Sequence, residues 1–81
     1  MDDSQLLHRI NALAEEEEQL WSRGSEAGGL STDDEMRLRV IQVQLDQAYD
    51  LLAQRSARRA AGLDPDGARM RPAAVVESYE Q

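Results

Sequence analysis

The sequence predicts an all-α protein: an antiparallel two-helix hairpin with a short C-terminal helical appendage, pairing into a four-helix assembly. Three observations carry this expectation. Apolar residues recur at helical spacing through two long segments. The linker GSEAGGL, about seven residues, separates them, and a connection that short favours antiparallel neighbours. The second segment is apolar on two nearly opposite faces, one more than a single partner helix covers.

Helix one is expected over about 3–23. Asp2 with Gln5 three residues on forms a capping box, and Gly24 supplies a left-handed stop. Leu6, Ile10, Leu13, Glu17 and Leu20 make its inward seam, flanked by Leu7, Ala14 and Trp21. One carboxylate therefore interrupts the seam. Glu17 falls opposite about Ile41, where its long side chain reaches water past the rim or meets Arg37 on the flank.

Helix two is expected over about 31–61. Ser31 or Thr32 caps it, and Asp33, Asp34 and Glu35 place negative charge on its positive end. With Leu45 as zero and about 100° per residue, Leu38, Ile41, Ala48, Tyr49 and Leu52 fall within roughly 60° of it, a core stripe. Met36, Val40 and Val43 lie about 140–180° away, with Leu51 near 120° on the same far side. These four are the candidate interface between chains. Pairing Leu20 with Leu38, Leu13 with Leu45 and Leu6 with Leu52 aligns both seams and carries Arg55, Arg58 and Arg59 past the start of helix one.

Gly62 ends the second helix, Leu63 supplies the hydrophobic contact of a Schellman stop, and Asp64-Pro65 reads as the cap and first residue of a short turn. The hairpin thus occupies 1–63 and the appendage 64–81. Val75, Val76 and Tyr79 share one side of that appendage, enough for a short helix that needs something to dock on. The competing account of the second stripe is intramolecular: these three residues fold back and cover it.

Composition narrows the function classes. The 81 residues contain no cysteine and only three aromatics, so the core is thin and has neither disulfide nor thiolate-metal reinforcement. Oligomerisation is the usual remaining support. No apolar run approaches the ~20 residues of a membrane span, and the acidic N-terminus is unlike an export signal, so a cytoplasmic protein without membrane association is expected. Net charge is −7, which disfavours nucleic acid. Residues 1–50 hold 12 acids against 4 arginines, and residues 51–81 hold 4 against 5.

Candidate sites follow from charge placement. Asp46 and Asp50 stand one helical turn apart with glutamines, not cations, as their turn neighbours, so their charge wants an outside partner. Arg69 or Arg71 from the appendage, of the same chain or of a neighbour, closes on them as a tail latch. Arg55, Arg58 and Arg59 form the one basic patch, suited to pairing with Asp2 and Asp3 or with an acidic protein surface. No catalytic constellation, phosphate loop or cofactor motif is present, and His8 lacks the Glu-x-x-His context of a carboxylate metal site. The expectation is a non-enzyme with no cofactor and no specific metal; the acidic helix faces attract divalent ions weakly at most.

The run from Leu45 to Tyr79, LDQAYDLLAQRSARRAAGLDPDGARMRPAAVVESY, resembles the C-terminal signature of a family of short actinobacterial helical proteins classed as a domain of unknown function. The matching features are Tyr49, the arginine-rich stretch Arg55 to Arg59 and the turn Gly62 to Pro65. Ser56 interrupts that stretch where the family pattern has a further arginine. The resemblance implies a bacterial cytosolic setting and assigns no activity. The functional expectation is a small helical interaction protein that self-associates as a homodimer. The alternatives are an adaptor or regulator gripping a larger cytosolic, transcription-related protein, and a weak divalent-metal carrier.

Overall fold

The computed structural model describes residues 1–78. Helix α1 spans Asp3–Glu26 and α2 spans Thr32–Ala60, followed by a 3-10 turn at Pro65–Gly67 and a short helix α3 at Ala73–Ser78. No strand occurs among the described residues, and no helix there is long and apolar enough to cross a membrane.

Each long helix starts and stops for an identifiable reason. At the start of α1 the Asp2 carboxylate accepts from the Gln5 N–H at 2.8 Å, and the Asp2 N–H donates to Gln5 Oε1 at 3.0 Å, a complete capping box. Ser31 caps α2, its hydroxyl accepting from the Asp34 N–H at 3.1 Å. Both helices close with the same Schellman geometry. Gly28 and Gly62 take the left-handed position, at φ 79° and 75°, and the next residue donates back to the first carbonyl of the motif: Gly29 N to Gly24 O at 2.7 Å, Leu63 N to Arg58 O at 2.8 Å. Leu63 itself stays exposed.

Helix α1 therefore does not stop at Gly24. That glycine is helical and buried because Leu30 folds back over it; a Cβ there would lie 2.5 Å from Leu30 Cδ2. Its missing side chain makes room for the linker, and the turn falls to Gly28 and Gly29.

The core joins Leu6, Ile10, Leu13 and Leu20 of α1 to Leu38, Ile41, Leu45, Ala48 and Leu51 of α2, with Leu30, Leu52 and Ala68 packed against it. On α2 the buried arc runs from about +20° at Leu38 to about −120° at Leu51, taking Leu45 as zero. Tyr49, at about +40°, is consequently 52% exposed, contrary to its placement in the core stripe. The arc is displaced because the appendage adds a second neighbour on one side: both the 3-10 turn and α3 pack on α2.

Candidate interaction surfaces

The arginine end is an internal clamp. Arg55 is only 6% exposed. Its Nε meets Asp3 Oδ1 at 2.5 Å, and its terminal Nη1 meets Asp66 Oδ1 at 2.9 Å and the Pro65 carbonyl at 3.3 Å. Arg59 takes the other Asp3 oxygen at 2.5 Å. Arg58 Nε donates to the Asp64 carbonyl at 2.6 Å and its guanidinium lies over Gly67, where a Cβ would collide with it. Helix register explains the convergence, because the alignment that meshes the two seams brings Asp3 level with Arg55. The three arginines of the basic patch are thus engaged within the chain; of the two partners expected for them at the start of helix one, Asp3 is the acidic one that two of them meet, while Asp2 is committed to its cap.

These contacts set the local electrostatics. The hydrogen bond from Arg55 holds the Asp3 carboxyl below the ordinary aspartate range; partial burial opposes this, and Arg59 reinforces it. The Arg55 guanidinium is in turn raised, by Asp3 first and then Asp66. A bidentate pair also joins the long helices, with Arg37 Nε 2.6 Å from Glu16 Oε2 and Nη2 2.8 Å from Oε1. Arg37 accordingly pairs with Glu16 rather than Glu17, and the Glu16 carboxyl is lowered chiefly by that hydrogen bond. Glu17 lies half-buried at the seam without an ion pair among the described residues.

The tail returns along α2. Gln54 Nε2 donates to the Arg69 carbonyl at 2.8 Å and Gln47 Nε2 to the Arg71 carbonyl at 3.2 Å, which orders the chain antiparallel to the helix. Arg71 Nε lies 3.5 Å from Asp50 Oδ2, to which Gln54 also donates at 2.8 Å. Of the four residues singled out for a latch, the structure brings these two together. The Arg69 side chain instead turns to the Asp66 and Ala68 carbonyls, and Asp46 has no ion pair among the described residues.

The far stripe of α2 is divided by this arrangement. Leu51 is 7% exposed and belongs to the core, because the tail covers the helix where Leu51 emerges. It is not an outward interface residue. Val43 is half-buried, whereas Met36 and Val40 are 62% and 45% exposed. In α3, Val76 is buried and Val75 is exposed; the expectation for Tyr79 lies outside the described residues.

A further surface emerges on the side of the hairpin away from the tail. Trp21 shares one shallow concavity with Leu30, Glu35, Leu38, Arg39 and Gln42, which fixes the α2 positions that face the same way. Trp21 is 52% exposed and Leu7, two heptads earlier, 46%. The sequence pattern placed Leu7, Ala14 and Trp21 beside the seam but gave them no partner; their seven-residue spacing was the available signal. His8 is exposed and lines a separate concavity with Arg9, Ala12, Leu13, Glu16, Arg37 and Gln44. Among the described residues no group of three or more histidine, aspartate or glutamate side chains converges to hold a metal.

A family model described as "Protein of unknown function (DUF2630)" matches residues 2–81. The chain is similar to an uncharacterized protein of Mycobacterium bovis, 42% identical over 77 residues that cover 95% of this chain and 88% of that one. Uncharacterized proteins from two Mycobacterium tuberculosis strains match at the same 42% identity and the same coverage. No solved structure matches.

Proposed function

The chain belongs to the DUF2630 family of proteins of unknown function, and we propose from its geometry that it is a non-enzymatic helical interaction protein of the cytoplasm that self-associates as a homodimer. One observation carries the reading. Among the described residues the tail occupies one side of a slab 15 Å in its thinnest extent, and large apolar side chains, Trp21 and Met36 among them, stay open to water elsewhere. A chain this small gains little from a core of ten buried apolar residues among those described, and covering exposed apolar area by a second copy is the economical supplement. In the alternative reading, a larger cytosolic protein, for example one of the transcription apparatus, covers the Met36 and Val40 surface in the helix-in-groove manner.

Size exclusion coupled to light scattering separates these readings. The expected mass is near twice 9.1 kDa across a wide concentration range. A mass that stays at 9.1 kDa in concentrated solution overturns self-association and leaves the adaptor reading.

A further inference from the structure

We propose that the tail-free side of the hairpin is the contact between two copies of this chain, with each α1 lying antiparallel on the partner's α1 about a two-fold axis at Ala14. The inference rests on the self-association just proposed and says which surface performs it.

Self-complementarity is the first argument. Leu7, Ala14 and Trp21 repeat every seven residues and point within about 40° of one direction. An antiparallel pairing centred on Ala14 sets Leu7 of one copy against the partner's Trp21, and Trp21 against the partner's Leu7. The small Ala14 meets its own copy at the axis, where a larger side chain would hold the two backbones apart. A pattern of large, small and large residues with equal spacing suits a closed isologous contact, in which one patch meets itself.

Charge supplies the second argument. Arg39 and Asp46 both project to this side, at about 120° and 100° on the scale that puts Leu45 at zero. Neither makes an ion pair in its own chain among the described residues, although Arg23, Arg37, Arg55, Arg59 and Arg71 all do. The hairpin register, with Asp34 opposite Arg23 and Arg55 opposite Asp3, sets Ala14 level with Val43 or Gln44. Arg39 stands four or five residues before that level and Asp46 two or three after it. The same two-fold axis therefore brings each Arg39 to within about one to three residues of the partner's Asp46, ~1.5–4.5 Å of helix rise, which a long arginine side chain spans. Two ion pairs form from groups the monomer leaves unmatched, which fixes register and orientation more than it adds affinity.

Area supports the assignment. The face is about 36 Å long at ~1.5 Å per residue and about 20 Å across two helices, roughly 700 Å² per copy. Standard interfaces bury about 800 Å² per partner. The Met36 and Val40 stripe, cut short where the tail takes Leu51, offers much less.

The chain has no cysteine, so single cysteines in the full chain report the geometry by disulfide cross-linking under mild oxidation. Ala14→Cys is expected to convert most of the protein to a linked dimer. Leu7→Cys alone is expected not to link, since its two copies stand about 21 Å apart along the helices at ~1.5 Å per residue; mixed with Trp21→Cys it is expected to link. Emission from Trp21, the single tryptophan, is expected to shift to the red as the wild-type dimer is diluted apart. A scattering dimer in which Ala14→Cys stays unlinked overturns this surface while sparing self-association, and linking at Val40→Cys then moves the contact to the far stripe. Linking of Leu7→Cys to itself also overturns the antiparallel axis. A monomer by scattering overturns both proposals.

Discussion

Arg55 is buried although it carries a full charge, and the cost of removing it from water is offset because Asp3, Asp66 and the Pro65 carbonyl all accept from it. One side chain thereby ties the start of α1 and the turn after α2 to the same point. The acid response of the protein follows from this clamp. Asp3 has a folded-state pKa held below its unfolded value, so its stabilisation is complete above the ordinary aspartate range, near pH ~4. It is lost as pH falls through the lower folded value. Glu16, lowered by Arg37, acts in the same direction. The wild-type melting temperature is expected to decline from about pH 4 downward, and Asp3→Asn to show a lower midpoint at neutral pH with a shallower acid limb. Melts followed by circular dichroism from neutral to acidic pH check this, and superimposable acid limbs for the two proteins would exclude the clamp as the cause.

At the scale of elements, both helices stop by placing a glycine in the left-handed region, so a side chain there costs stability without touching anything else. Gly62 has open space where a Cβ would sit, and its φ of 75° is the entire constraint. Gly62→Ala is expected to cost about 1–2 kcal/mol, a drop of roughly 4–8 °C in Tm per kcal/mol for a domain this size. A thermal melt unchanged by the substitution would mean that the stop is set by the 3-10 turn beyond it. The sequence made the caps, the second stop and the Asp64-Pro65 turn legible, because each depends on residues a few positions apart. The first stop was less legible: three glycines compete for it, and only the packing of Leu30 onto Gly24 assigns the turn to Gly28. Tyr49 was misplaced for a related reason. Periodicity gives the direction of a side chain on its helix, but the direction that counts as inward moved when the tail added a neighbour.

The whole molecule is a hairpin with a strap on one side, and the strap covers part of the surface that two helices leave open. Removing residues 64–81 would uncover Leu51 and discard Val76, both buried, at about 1.5–3 kcal/mol for each apolar side chain. It would also leave Arg55 without two of its acceptors. Small domains have about 5–15 kcal/mol in all, so the truncated chain is expected to melt far lower than the full one or to aggregate; a stable truncated dimer in a denaturant titration would show that the strap is dispensable. The sequence by itself determined the helical class, the hairpin register and the excess of apolar surface on α2, since these follow from spacing along one chain. The tertiary structure alone decided how that excess is shared, with Leu51 under the tail and Met36 and Val40 in water, and on α1 it left Leu7 and Trp21 exposed. Periodicity names the direction in which a side chain leaves its helix, whereas what meets it there depends on the path of a distant segment, and that path is set by the hydrogen bonds of Gln47, Gln54 and Arg55 with the returning chain.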